Sequence, residues 1–235
     1  MSRTSVVPAN WPNATRTAPV NISGSICASR RRIREATASA SLAVGARCPH
    51  ARDGVGAVTT QNRTDPGLGP RVLDCLARGM AAEAALATVM AQAEAAEWRQ
   101  VAVIDRAGAV ATYHGERCSG VFGEARGAGV VALGNLLASA AVPQAMVAGF
   151  MGAADLILEE RLMAALEAGL AAGGEVRPLR SAALVVVGEP YPGSNLRVDW
   201  ADAPLAGLAA LWRAWAPQMA QCRLWAVDPA ALPPA

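Results

Sequence analysis

Residues 54–70, GVGAVTTQNRTDPGLGP, pass from an apolar, β-branched run into Thr59, Thr60, Gln61, Asn62 and Arg63 and then into the turn Asp65-Pro66-Gly67. The first part has the composition of a strand, and the turn residues end it. Beyond the turn, Leu68, Val72, Leu73 and Leu76 fall on one helical face, Pro70 suits a first helical position, and Gly79 suits the stop. Upstream, SICAS and TASASLAVGAR are short small-residue runs that, with GVGAVTT, are expected to pair as a β-meander from about Ser25.

Downstream the alternation repeats. A second, Ala-rich helix is expected over Met80 to Ala96. QVAVIDRAGAVATYHG then reads as a hairpin turning at Ala107-Gly108, and GAGVVALGN as a buried strand. Pro143 opens a helix carrying Met146, Val147, Phe150 and Met151. DLILEERLMAALEAGLAAGG makes another, with Leu158, Leu162, Leu166 and Leu170 four apart and a stop at Gly173-Gly174. SAALVVV and NLRVDW are the last strands, and PLAGLAALWRAW is a closing helix before a Pro-rich tail. Hairpin-like connections make the class α+β rather than a doubly wound parallel sheet. Strands apolar on both faces fit two stacked sheets with helices outside, and equally one large sheet; periodicity does not decide between them.

Of the residues, 53% are apolar, enough for a sizeable core, with no run long enough to span a bilayer and no apolar signal-peptide core at the start. The expectation is a cytoplasmic protein without a membrane partner. Cys27, Cys48, Cys75, Cys118 and Cys222 include no CxxC pair, so neither a disulfide framework nor a metal site is signalled, and no metal or cofactor is expected. The net charge of +2 is unevenly spread: Arg3, Arg16, Arg30, Arg31, Arg32 and Arg34 face Glu35 alone in residues 1–36, and the remainder holds 15 Arg against 18 acidic residues. RRRIR lacks an aromatic platform, so no nucleic-acid partner is expected. Residues 1–24 read as a disordered or atypical leader and 25–235 as a single domain. There is no Lys, which excludes a lysine-assisted mechanism.

The polar strand end invites two readings. Turn and capping residues at a surface are one. Hydroxyls, amides and backbone N–H groups converging on an anion are the other. A Ser-His-Asp triad would need His50 or His114, and neither lies in a fitting local context. Cys48-Pro49-His50 is better read as a buried thiol beside a strand-bounding proline than as a ligand pair. Arg197 and Asp199 share one strand face and read as a structural ion pair, with lining of the site the alternative.

TASASLAVGARCPHARDGVGAVTTQNRTDPGLGPRVLDCLARG, followed in order by RQVAVIDRAG, GNLLAS, LEERLMAALEAGLAAGGE, RSAALVVV and LRVDW, resembles the family called domain of unknown function 1028 from about Thr37 nearly to the C-terminus. That family is similar to the N-terminal-nucleophile (Ntn) hydrolases, which implies a four-layer αββα sandwich. It also implies a terminal Ser, Thr or Cys that attacks an amide carbonyl with its own α-amine as base. The resemblance places GAVTTQN and Gly134-Asn135 at strand ends facing the nucleophile, which makes Ser23, Thr60, Gln61, Asn62 and Asn135 the candidate catalytic residues. Members usually begin Met-Thr-Phe-Ser, whereas here Ile22-Ser23-Gly24-Ser25 stands at the equivalent place, and SRRRIREA replaces the usual apolar second strand. Self-cleavage before Ser23, an altered or wrongly started reading frame through residues 1–36, and loss of activity all fit. The expected function is hydrolysis of a small cytosolic amide or amino-acid derivative. The alternative is a catalytically inactive member serving as a ligand-binding or interaction module. Trp212, Trp215 and Trp225 in or near the closing helix are core or form a patch suited to a homodimer.

Overall fold

A computed structural model describes residues 24–30, 32–188 and 193–231. Ser23 and all but the last residue of the expected leader lie outside the described residues. The chain begins with β1 (Gly24–Arg30), β2 (Arg32–Ser39), β3 (Pro49–Arg52) and β4 (Gly56–Gln61), then α1 (Leu68–Ala77) and α2 (Ala82–Met90). β5 (Gln100–Asp105), β6 (Val110–His114), β7 (Val121–Gly127) and β8 (Val130–Leu137) follow, then α3 (Val142–Gly152) and α4 (Leu158–Ala171). β9 (Ser181–Val187), β10 (Ser194–Val198), α5 (Pro204–Trp215) and α6 (Met219–Val227) complete it. The class is mixed α+β, as expected. No helix among the described residues is long and apolar enough to cross a membrane.

The strands form two antiparallel sheets, ordered β10-β9-β2-β1-β8-β7 and β3-β4-β5-β6. The expected single meander of the first strands is therefore corrected. β1 and β2 pair within the six-stranded sheet, β3 and β4 within the four-stranded one, and the segment after Ser39, with a 3-10 turn at Val44–Ala46, carries the chain across. TASASLAVGAR is the end of β2 plus this crossing, not one strand.

Side-chain alternation separates three apolar clusters. Val58, Val101, Val103 and Ala111 of the four-stranded sheet pack on Leu68, Val72, Leu73 and Leu76 of α1 and on Leu86 and Val89 of α2. Ala57, Ala102 and Ile104 from the opposite face of those strands meet Val131 and Leu133 of β8. Ala36, Ala132, Leu184 and Val186, on the far face of the six-stranded sheet, pack against Met146 and Phe150 of α3, Leu162 and Leu166 of α4 and Leu208 of α5. The apolar face read for α1 is the buried one, although the helix opens two residues before Pro70. α4 ends as expected: Gly173 and Gly174 have φ of 111° and 58°, and their N–H groups bond Leu170 O and Gly169 O, a left-handed exit that glycine makes without strain.

Three local expectations are corrected. α2 stops at Met90 rather than Ala96, because AQAEAAEW offers no continuing apolar face and the chain leaves through a 3-10 turn at Ala96–Trp98 to deliver β5. β7 escaped notice because VFGEARG is an edge strand with polar residues and a bulge between Val121 and Gly123. α6 stands where the Pro-rich tail is expected. It has no buried residue and leaves Leu224, Trp225 and Val227 exposed. The tryptophans divide accordingly: Trp212 is core, with Nε1 donating to Glu160, while Trp225 is exposed.

Candidate functional site

The alternation that buries Ala57, Ala102 and Ile104 between the sheets carries Gln61 and Gln100 to the same side, at one end of the layer. His114 pairs with Gln100 in the register, so Gln61, Gln100 and His114 form a row across β4, β5 and β6. Opposite them, Val131 and Leu133 of β8 are followed on the same face by Asn135. The interior therefore turns from apolar to polar at this end, and there the sheets open into a cleft of about 390 Å³.

Gln100 organises the amides. Its Oε1 accepts from Gln61 Nε2 at 2.8 Å and from Asn135 Nδ2 at 3.2 Å, while its Nε2 lies 2.9 Å from Gly134 O and 3.0 Å from His114 Nδ1. With Nδ1 accepting, His114 carries its proton on Nε2 and donates to Glu124 Oε2 at 2.8 Å. Burial raises the Glu124 carboxyl, but hydrogen bonds from Thr112, His114 and Arg126 and the Arg126 charge outweigh it and hold it below the usual carboxylate range. His114 thus has an acid on one side and an amide on the other, with no hydroxyl among the described residues in a triad arrangement. Neither it nor Gln100 was recognised in the sequence as part of this site; the signal was that β5 opens on a polar Gln100 where alternation requires an inward residue.

Gln61, Asn62 and Asn135 all line the cleft, and Thr60 does not. Thr60 is on the helix-facing side of β4, where its hydroxyl donates to Asp65 O, and Asp65 Oδ1 accepts from Gly67 N ahead of α1. It shapes the turn. Asn62 is buried, not a surface residue. Its Nδ2 donates to Trp98 O at 2.6 Å and its Oδ1 accepts from Ser119 N at 3.2 Å, tying three loops together. Asn62, Arg63 and Leu136 all have left-handed backbone, with φ of 52°, 53° and 52°, and all line the cleft. Such conformations are uncommon outside glycine and gather where the surrounding structure enforces them.

Ser39, Ser41, Thr64 and Ser119 and the arginines Arg47, Arg63 and Arg177 also line it. Cys48 lines it as well, yet it is buried beside Thr64, and burial pushes its thiol up to about 11. A thiol so protonated is a poor nucleophile. His50 is set apart, its ring against Gly69 of α1, where a Cβ would collide, and its pKa is lowered by burial. Arg197 and Asp199 form a bidentate ion pair, as read from their spacing.

The register also fixes where β1 starts. Gly24 pairs with Ala38 of β2 and Gly134 of β8, and the next residues on those strands, Ser39 and Asn135, both line the cleft.

A family model described as "Family of unknown function (DUF1028)" matches residues 25–208. The chain belongs to the DUF1028 family. Among solved structures, protein SPO2555 from Silicibacter pomeroyi, itself described as DUF1028, is 32% identical, with 81% of this chain and 84% of that one covered and a TM-score of 0.76. No curated protein matches the chain. The match begins at Ser25, so in this DUF1028 chain β1 from Ser25 onward and the described cleft lining fall within the family region, and Gly24 and α6 lie outside it.

Proposed function

We propose that this DUF1028 chain is an N-terminal-nucleophile amide hydrolase acting on a small cytosolic amide or amino-acid derivative, built as a four-layer αββα sandwich. The order of the three apolar clusters, helices against sheet, sheet against sheet and sheet against helices, supports that architecture. The observation that carries the activity is the register of Gly24 between the residues preceding Ser39 and Asn135. A chain freed immediately before Ser23 would present its hydroxyl and α-amine at the mouth of this cleft.

The chemistry follows from the groups assembled there. A terminal α-amine, with an ordinary pKa of about 7.7–8.0, is partly unprotonated near neutral pH and can take the hydroxyl proton as oxygen attacks the amide carbon. The developing oxyanion needs donors held in place beforehand. Asn135 and Gln61 fit this role: both line the cleft, and each amide is fixed by an N–H donated to Gln100 Oε1. Thr60 and Asn62 act one step back, by holding the loop that carries Arg63 and Thr64. Collapse of the intermediate expels the amine, and water then releases the acyl group from the Ser23 oxygen.

N-terminal sequencing and intact mass of the purified protein test the first requirement, a chain beginning at Ser23. A shortened chain in which Met directly precedes Ser23, so that methionine removal bares its amine, tests the second through release of ammonia or amine from a panel of amides. A folded, bared chain with no turnover would favour the alternative: the same cleft as the ligand site of an inactive member.

A further inference from the structure

Three arginines reach the cleft from three separate segments: Arg47 from the crossing after β2, Arg63 from the turn after β4 and Arg177 from the connection between α4 and β9. Among the described residues, no aspartate or glutamate shares the lining with them. That is a local reversal, because residues 37–235 hold 15 Arg against 18 acidic side chains.

Each guanidinium is also held. Arg177 donates to Glu175 Oε1, at 2.6 Å from Nε, and that buried carboxylate is fixed by Ala40 N on its other oxygen. Arg47 donates one N–H to Leu42 O at 2.8 Å, and Arg63 lies over the Trp98 ring at 5.7 Å. A guanidinium has five N–H donors, so Arg47 and Arg177 keep capacity for a ligand after these contacts. Glu175 offsets one of the three charges, which leaves an excess of about two positive charges for a ligand to meet. Ser39, Ser41, Thr64 and Ser119 add hydroxyl donors to the same space. A volume of about 390 Å³ is that of a metabolite-sized site.

Resting on the amide-hydrolase reading, we propose that the substrate is a small dianion, an amide flanked by two carboxylates that the Arg47 and Arg177 side of the cleft receives. The Gln61 and Asn135 amides then face the carbonyl between them. Guanidinium forks also donate to phosphate oxygens, so the ligand source has to be separated by experiment.

The test is calorimetric titration of the full chain at low salt with glutarate, its neutral diamide glutaramide, and inorganic phosphate. Glutarate is expected to bind and to weaken as salt is added. Glutaramide is expected to bind at least about tenfold more weakly, and Arg47→Gln to weaken glutarate by about tenfold, or 1.4 kcal/mol. Because Arg177→Gln would remove the cation paired with the buried Glu175, Arg177→Lys is the companion variant, which keeps the charge and loses the fork. Equal binding of diacid and diamide, no binding of glutarate, or indifference to both substitutions overturns the proposal, and phosphate binding more tightly than glutarate overturns the carboxylate assignment. The readout is binding. An inactive protein that binds glutarate defeats only the hydrolase reading, and turnover of neutral amides without diacid binding defeats only this one.

Discussion

Gln100 Oε1 stands 3.2 Å from Asn135 Nδ2, and this bond joins the two sheets where they part to form the cleft. Both side chains are buried, at 0% and 4% exposure, and Gln100 has all its hydrogen-bonding positions occupied. Its amide orientation is thereby determined, and so is that of Gln61 and Asn135, whose nitrogens both donate to Gln100 Oε1.

Gln100→Leu leaves buried donors on Gln61 and Asn135 and the Gly134 carbonyl without their partner. Each such loss costs about 1–3 kcal/mol, so a fall of at least about 2 kcal/mol is expected in urea unfolding. A double-mutant cycle with Asn135→Leu should show coupling of about 0.5–3 kcal/mol. Additive effects would mean that the two amides do not act on each other.

Asn62→Ala separates the two readings of the polar strand end. The side chain bonds Trp98 O and Ser119 N from a left-handed backbone, so alanine loses both bonds and strains the turn. A loss of about 2 kcal/mol is expected, with Asn62→Gly milder because glycine accepts the φ of 52°. A change within about 0.5 kcal/mol, as for an ordinary surface site, would contradict this placement.

Much of the fold was legible because burial and period coincide. Leu68, Val72, Leu73 and Leu76 mark α1, and the Ala107-Gly108 turn marks the hairpin of β5 and β6. β7 was hidden because an edge strand such as VFGEARG need not be apolar. The division of the first four strands between two sheets was hidden because pairing partners are a long-range property that small residues such as Thr37, Ala38 and Ser39 do not encode locally. For the cleft, Gln61 and Asn62 were legible as polar residues ending an apolar run, and Asn135 only through the family resemblance. Gln100 was not, since one polar residue opening a strand looks the same whether it meets solvent or a facing sheet. Nor could spacing bring Arg47, Arg63 and Arg177 together, because they converge only through the stacking of the sheets.

Cys48 should be unreactive in the native protein. With its thiol pushed up to about 11 and 3% exposure, it should resist thiol reagents at pH 8 and react after unfolding in urea. Mass mapping of labelled peptides checks this, and rapid native labelling of Cys48 would count against the buried, protonated thiol.

Glu35 provides the pH test. Its carboxyl lies at 0% exposure, with Oε2 accepting from His50 N at 3.2 Å and Thr59 of β4 beside it. Burial raises its pKa well above the ordinary value of 4.5, against smaller opposing effects from Thr59 and His50. Between 4.5 and the raised folded value, the folded state therefore holds a proton that the unfolded chain has released, and stability declines as pH rises through that window. Below 4.5 both states are protonated and the penalty is absent. Glu35→Gln keeps the acceptor for His50 N and cannot ionise. It should be more stable than the parent at pH 8, with the gain shrinking to nothing as pH is lowered to 4. Other titrating groups are common to both proteins and cancel in the difference. Urea unfolding of the pair at several pH values makes the comparison; a variant no more stable at pH 8, or a difference unchanged between pH 4 and pH 8, would show that Glu35 is ionised and paired in the folded protein.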